Sequence, residues 1–165
     1  MKKILLSMFI IPFVLACSMT GNETEKNLQL IGNYVLAVEN MDFDAMETYL
    51  ANDYIGIGPS FGDSIKREQA IANWKDNVEN LYERIKYKRS RNIAVTIDSG
   101  PNQGHWVSNW AELEIVYKDG KGEVTILANT IYQIEEGRIT KSLTFYNEAD
   151  ALRQLGYVFI HPNDL

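Results

Sequence analysis

The stretch that decides the fold is residues 105–146, HWVSNWAELEIVYKDGKGEVTILANTIYQIEEGRITKSLTFY. It contains three runs rich in aromatic and β-branched residues, at 105–117, 124–134 and 139–146, and each alternates between two sets of side chains. A Lys-Asp-Gly-Lys-Gly turn separates the first two runs, and a Glu-Gly turn separates the last two. Strands joined by such short turns pair antiparallel, so the sequence predicts an antiparallel meander.

The chain before this meander is mostly helical, as judged by the spacing of its apolar residues. The predicted elements outside the meander are helices over 27–39, after Asp42 and after Ser64, short strands at 54–58 and 93–97, and a last helix at about 148–155. The apolar faces of the three helices carry Leu28, Ile31, Val35 and Val38, then Phe43, Met46 and Leu50, then Ile71, Trp74, Val78, Leu81 and Ile85. Helices followed by an antiparallel sheet predict an α+β fold with the helices on one face of a curved sheet.

The first seventeen residues have the pattern of a secretory signal that ends in a lipidated cysteine. Lys2 and Lys3 precede an apolar run over residues 4–16, which is shorter than the roughly 20 residues needed to cross a bilayer. The run ends in Val-Leu-Ala before Cys17, which resembles the bacterial lipobox, where a cysteine thiol receives a diacylglycerol. The alternative is an ordinary cysteine behind a plain secretory signal. We therefore predict a lipid-anchored protein of the cell envelope, and Ser18 favours the outer membrane if the cell has two.

This pattern also predicts the domain boundaries. They are a signal peptide at 1–16, a polar tether at 17–26, one domain at 27–156 and a tail at 157–165. Loss of the two lysines of the signal takes the formal net charge from −6 to −8. A field of that sign repels nucleic acid and anionic membrane surfaces, so charge excludes both as partners.

Cysteine and histidine are too few for disulfide or metal chemistry. Cys17 is the only cysteine, so the chain has no intrachain disulfide. His105 and His161 are the only histidines, and they lie far apart without the paired spacing of metal ligands. We therefore predict no metal site and no cofactor.

Five short motifs resemble, in their order and spacing, the SnoaL-like proteins of the nuclear transport factor 2 superfamily. They are Asn33-Tyr34-Val35, Asn40-Met41-Asp42-Phe43-Asp44, Leu50-Ala51-Asn52-Asp53-Tyr54, the run at 131–139 and Gln154-Leu155-Gly156. The resemblance covers about residues 27–156. It implies a cone in which a bent sheet wraps around a long helix, with a pocket between them and homodimers through the outer sheet face.

The same resemblance implies that the known catalysis of this superfamily is absent. The oxyanion-binding tyrosine of its ketosteroid isomerases falls on Tyr34 and is present, but their general-base aspartate falls on Gly58 and their second acid near Thr130. The aspartate that ends the last strand of its polyketide cyclases falls on Asn147. Glycine and amide side chains cannot take a proton from carbon, so neither mechanism is expected.

Alternation divides each strand into two faces, and the resemblance selects the one that points into the cone. On the first long strand, Trp106, Ser108, Trp110 and Glu112 are expected to point inward, and Val107, Asn109, Ala111 and Leu113 outward. The rest of the expected pocket is Ala128, Thr130, Tyr132, Ser142, Thr144, Tyr146 and Asn147, with Tyr34 and Trp74 from the helices. This set suits a small, mostly apolar ligand. The alternatives are plain packing for the tryptophans and tyrosines and a helix cap for Asn147.

Three hypotheses about function follow from this expected pocket. The first is non-catalytic binding of a small, largely apolar molecule. The second is a hydrolase, isomerase or cyclase in which Glu112 is the base and Tyr34 or Tyr132 donates a hydrogen bond. The third is a dimeric interaction module that uses the outer sheet face, at Leu127, Ile131, Leu143 and Phe145. Pairing of Glu112 with an arginine, or its exposure to water at the rim, would exclude the second hypothesis.

Overall fold

The helices precede and cover a sheet built from the predicted meander. The computed structural model describes residues 16–164, and the predicted signal peptide lies outside them except for Ala16. In chain order the elements are helices α1 (Ala16–Glu39) and α2 (Phe43–Tyr49), strands β1 (Leu50–Ile57) and β2 (Ser64–Lys66), helix α3 (Arg67–Asp76), strands β3 (Tyr82–Ile97), β4 (Gly104–Tyr117), β5 (Gly122–Glu135) and β6 (Arg138–Tyr146), and helix α4 (Glu148–Gln154). The predicted α+β class is confirmed.

The six strands form one curved sheet in the order β2-β1-β6-β5-β4-β3. The predicted meander is confirmed, because β3, β4, β5 and β6 pair antiparallel with their neighbours in the chain. The sheet is nevertheless mixed and not purely antiparallel as predicted, since β1 runs parallel to β6. Alternation within a strand carries no information about the direction of a partner that lies far away in the chain, so the sequence pattern missed this pair.

Three helix boundaries differ from the predicted ones, the smallest difference being that Leu50 begins β1 and does not belong to α2. Helix α1 begins at Ala16, so residues 17–26, which were expected to form a polar tether, continue the helix. These residues include glutamate and lysine, which favour helix, and no proline interrupts them. Helix α3 ends at Asp76 and a π-helical turn over Asn77–Leu81 continues it, so Val78 and Leu81 are helical as predicted. Ile85, which the apolar spacing also assigned to this helix, lies instead on β3 opposite Ile115. Pairing with β4 decides the conformation of this segment, because a short apolar pattern fits either period.

Side-chain caps begin the two short helices. The Asp42 carboxylate accepts a hydrogen bond from the Ala45 amide at 2.9 Å and caps α2, as predicted. The Asn147 side chain accepts from the Asp150 amide at 3.0 Å and caps α4. Such caps satisfy backbone N–H groups that have no partner within the helix.

The main core lies between α1 and the inner face of the sheet. Ile31 and Val38 on α1 and Val107, Ile134 and Ile139 on the sheet have almost no contact with solvent. Full burial of each such side chain contributes about 1.5–3 kcal/mol. None of the helices within residues 16–164 is long and apolar enough to span a bilayer. The core thus holds α1 against one part of the sheet, and the remaining inner face borders a cavity.

Candidate ligand-binding site

The register between β4 and β5 determines which side chains of β4 face the interior. Val107 lies opposite Tyr132, and Asn109 lies opposite Thr130. Residues directly opposite each other in an antiparallel pair point to the same face of the sheet. Because Tyr132 and Thr130 line an internal cavity, Val107 and Asn109 face inward as well. The inward face that the sequence analysis assigned to β4 is therefore wrong.

The β4 residues expected in the pocket lie on the outer face instead. Trp106 is buried there, and its indole Nε1 donates a hydrogen bond to the Asn102 carbonyl at 2.9 Å. Ser108 Oγ accepts a hydrogen bond from Asn129 Nδ2 at 2.9 Å, and Trp110 is 41% exposed. Both alternating sets of β4 contain large apolar residues, so hydropathy alone cannot choose between the two faces.

Glu112 forms a surface ion pair on that outer face. Its Oε1 accepts a hydrogen bond from Arg89 Nη1 at 2.6 Å, and the two side chains are 32% and 78% exposed respectively. The hydroxyl donors that the enzymatic hypothesis combined with it, Tyr34 and Tyr132, line the cavity on the other side of the sheet. A base and a donor separated by a sheet cannot act on one substrate. The hypothesis of an enzyme that uses Glu112 is therefore wrong.

A cavity of about 320 Å³ lies between the helices and the inner face of the sheet. Its wall combines aliphatic side chains with seven of the nine tyrosines of the chain. The expected pocket residues that do line it are Tyr34, Trp74, Ala128, Thr130, Tyr132, Ser142, Thr144 and Tyr146. Asn147 does not line it and has the alternative role as the cap of α4. The structure thus brings together the residues predicted from α1, α3, β5 and β6 but none of those predicted from β4.

Several polar residues of the wall were not identified from the sequence. They are Glu47, Tyr54, Tyr82, Tyr87, Asn109, Tyr117 and Glu148. The spacing along the strands could have placed two of them on the inner face. Tyr87 follows the buried Ile85 by two positions, and Tyr117 follows the buried Ile115 by two. Residues two apart on a strand share a face. The first of these was missed because the predicted strand began only at residue 93.

Four tyrosines of the cavity wall, three of them buried and Tyr87 partly buried, form what we call the tyrosine cluster: Tyr34, Tyr54, Tyr87 and Tyr132. The rings of Tyr34 and Tyr132 meet edge to face, with centroids 5.7 Å apart and an interplanar angle of 72°. The hydroxyls of Tyr54 and Ser142 are hydrogen-bonded at 2.7 Å. α1, β1, β3 and β5 each contribute one member, so only the folded chain assembles the cluster.

Burial keeps the hydroxyls of the tyrosine cluster protonated. The pKa of Tyr34 is raised well above its usual value, first by burial and then by the nearby Tyr54 and Tyr87. Burial likewise raises the pKa of Tyr132, and Tyr87 and Tyr34 raise it further. The pKa of Tyr54 is raised by burial, although its hydrogen bond to Ser142 acts in the opposite direction. Neutral phenols donate and accept hydrogen bonds but do not act as bases near neutral pH.

The part of the wall that is exposed to solvent, which we call the mouth, includes two carboxylates, those of Glu47 and Glu148. Glu47 accepts a hydrogen bond from Arg67 Nη2 at 2.8 Å in a partly exposed ion pair. Glu148 lies exposed in the first turn of α4. Within residues 16–164, no three His, Cys, Asp or Glu side chains are grouped as metal ligands. The cavity is therefore negative at its mouth and uncharged inside.

Solved structures share this fold at low sequence identity. A candidate polyketide cyclase from Xanthomonas campestris pv. campestris is 18% identical with a TM-score of 0.65, over 80% of this chain and 98% of that one. A candidate SnoaL-like polyketide cyclase from Shewanella denitrificans OS-217 is 17% identical with a TM-score of 0.60, over 78% and 95%. A nuclear transport factor 2-like protein from Burkholderia xenovorans LB400 is 16% identical with a TM-score of 0.60, over 80% and 97%. No protein-family model and no curated protein matches the sequence.

Proposed function

We propose that this chain, which has the cone fold of the SnoaL-like proteins of the nuclear transport factor 2 superfamily, binds a small, mostly apolar molecule. The observation that carries the proposal is the cavity of about 320 Å³ with its aliphatic and tyrosine-rich wall. Ligand sites in proteins are typically about 300–1,000 Å³ and mostly apolar, with a few polar groups. A cavity of about 150 Å³ binds benzene, so one of about 320 Å³ has room for a ligand of more than one ring.

Binding without the superfamily's known catalysis is favoured by the side chains at the positions where that catalysis is expected. Gly58 lines the cavity and has no side chain that could accept a proton. Thr130 is engaged with Thr144 through hydroxyl oxygens 3.2 Å apart. Asn147 caps α4 outside the cavity wall. The isomerase and cyclase mechanisms therefore lack their bases in this chain.

Two adjacent positions on β5 provide a matched test of binding in the cavity. Ala128 lines the cavity, whereas Leu127 is 77% exposed on the outer face. We expect Ala128→Phe, which fills the cavity, to abolish binding of the neutral fluorescent dye N-phenyl-1-naphthylamine, and Leu127→Phe to leave it unchanged. Circular dichroism must show that both variants keep the parent fold. Equal dye binding by both variants would refute binding in the cavity.

Native mass spectrometry of the protein from its own host is the complementary experiment. We expect a small co-purified molecule that is present in the parent and in Leu127→Phe but missing from Ala128→Phe. A parent that carries no small molecule beyond its own covalent lipid, and that also fails to bind the dye, would contradict the proposal. The same spectra report the mass of any dimer.

We propose that lipid on Cys17 holds this domain at a membrane of the cell envelope. The support is the pattern of Lys2 and Lys3, the apolar run and the lipobox-like residues before Cys17. A diacylglycerol supplies two acyl chains, which is the number needed for stable anchoring. We expect Cys17→Ser to move the protein from the membrane fraction to the soluble fraction. Retention in the membrane fraction would show that the attachment lies elsewhere.

A second copy of this chain is the partner that we propose for the outer sheet face. Leu127 and Phe145 on neighbouring strands are 77% and 52% exposed, and Ile131 and Leu143 lie partly exposed beside each other. Contiguous exposed apolar side chains favour association, and the same face on two copies makes a two-fold interface. We expect sedimentation velocity to show a dimer that Leu127→Glu converts to a monomer. A parent that stays monomeric at high concentration would contradict this part.

A further inference from the structure

The wall of the cavity has acidic but no basic side chains. Within the described residues, no lysine, arginine or histidine lines it, although the chain has 16 lysines and arginines. The charged residues of the wall are Glu47, which is partly exposed, and Glu148, which is exposed. We propose that the cavity takes uncharged molecules with one polar end, such as an alcohol, ketone, ester or lactone, and rejects anionic molecules of the same shape. This inference rests on the proposed binding function and adds the charge of the ligand to it.

An anion would lose its hydration in this cavity without gaining a counterion. Two basic groups lie beside the wall without lining it: Arg67, whose Nη2 already donates to Glu47 Oε1 at 2.8 Å, and Lys75, whose exposed Nζ lies 5.9 Å from the centre of the Phe43 ring. An unpaired carboxylate or sulfonate transferred from water into an apolar site carries a far larger desolvation cost than a neutral polar group. The carboxylate of Glu148, which lines the wall, would also repel it. Both effects oppose anions, whereas neither opposes an uncharged molecule.

A cation is not the preferred ligand either, because the tyrosine cluster contains no carboxylate. The cluster is uncharged, and the rings of Tyr34 and Tyr132 already meet edge to face. Attraction to an aromatic ring stabilises a cation by less than the removal of an ammonium ion from water costs. An uncharged ligand can instead exchange hydrogen bonds with the phenol hydroxyls at one end and contact aliphatic side chains along the rest of the wall.

Two dyes with the same ring system separate charge from shape. N-phenyl-1-naphthylamine is neutral, and 8-anilinonaphthalene-1-sulfonate is its sulfonated counterpart. We expect fluorescence titrations of the full mature chain to give a dissociation constant at least about tenfold lower for the neutral dye. A tenfold ratio corresponds to about 1.4 kcal/mol, which is a small part of the difference between the desolvation costs of a sulfonate and of a neutral polar group. Ala128→Phe should abolish binding of the neutral dye, whereas the preference should persist in Leu127→Phe, since of these two residues only Ala128 lines the cavity.

Reversing the charge at the mouth tests the electrostatic part on its own. Glu148 is exposed, so Glu148→Lys leaves the core intact. We expect it to tighten binding of the sulfonated dye relative to the neutral dye by roughly two- to fivefold, the range for an exposed ion pair. Glu136→Lys is the matched control, because Glu136 is equally exposed but lies in the turn between β5 and β6 outside the cavity wall. It should change neither dissociation constant.

The outcomes distinguish failure of the inference from failure of the proposed function. If the sulfonated dye binds as tightly as the neutral dye or more tightly, and Ala128→Phe still abolishes this binding, charge selection is overturned. Binding in the cavity then remains supported. An equal response of the sulfonated dye to Glu148→Lys and Glu136→Lys overturns the role of the mouth. If neither dye binds the parent chain, the proposed function itself fails, and the inference falls with it.

Discussion

A buried hydrogen bond between Tyr54 and Ser142 joins β1 to β6 in the wall of the cavity. The two hydroxyl oxygens are 2.7 Å apart, and the residues are separated by 88 positions in the chain. Tyr54→Phe and Ser142→Ala each delete one hydroxyl and leave the other without this partner. The double variant deletes both hydroxyls and leaves no orphan. We therefore predict that the two substitutions are coupled in their effect on stability.

The magnitude follows from the cost of an unpaired hydroxyl compared with the value of a complete bond. A buried polar group without its partner costs about 1–3 kcal/mol, whereas an intact hydrogen bond contributes a net of about 0.5–1.5 kcal/mol. Each single variant should lower the free energy of unfolding by about 1–3 kcal/mol. The double variant should lose less than the sum of the two, with a coupling energy on the order of 1 kcal/mol.

Urea unfolding near neutral pH, followed by far-ultraviolet circular dichroism, measures these differences. Tyr157→Phe is the control, because Tyr157 is 62% exposed and its hydroxyl has water as a partner. That variant should change the free energy of unfolding by less than about 0.5 kcal/mol. Additive losses of Tyr54→Phe and Ser142→Ala, to within about 0.5 kcal/mol, would refute the reasoning.

Three further predictions concern the core, the buried phenols and the outer face. Ile139 is fully buried, so Ile139→Ala should lower the free energy of unfolding by about 2–5 kcal/mol. Ile93→Ala, at a position that is 55% exposed, should lower it by less than about 1 kcal/mol. Equal losses of the two variants in urea titrations would contradict the assigned core. Burial, with smaller contributions from two neighbouring tyrosines, raises the pKa of Tyr82 from 10.0 to about 12. The contribution of Tyr82 to stability is therefore complete below pH 10.0 and is lost as the pH rises through about 12. In an alkaline titration the tyrosinate absorbance of Tyr82 should appear together with unfolding. Ionisation of Tyr82 in the folded chain well below pH 12 would contradict its burial. Glu112→Gln removes only the exposed ion pair with Arg89, so it should change the free energy of unfolding by less than about 1 kcal/mol and leave the affinity for the neutral dye unchanged. A tenfold loss of dye affinity would show that Glu112 contributes to the binding site.

Alternation places the inner residues of β5 and β6 correctly but fails on β4. Thr130 and Tyr132 line the cavity as predicted. Side chains alternate between the two faces along β5, so one inward residue determines the orientation of all the others. On β4, both Trp106 and Val107 are apolar enough to lie on the inner face, and the local sequence pattern does not show which of them does. The resemblance selected the tryptophan, whereas pairing of Val107 with Tyr132 selects the valine.

The sequence by itself determines the types of the elements, their order and the turns of the meander, because these depend on residues close together in the chain. Only the tertiary structure decides that β1 runs parallel to β6, which face of β4 points inward, and that the four tyrosines of the cluster meet. These features depend on register and packing between segments far apart in the chain. A shift of one residue between β4 and β5 would turn every side chain of β4 to the opposite face, and with it the chemistry of the cavity.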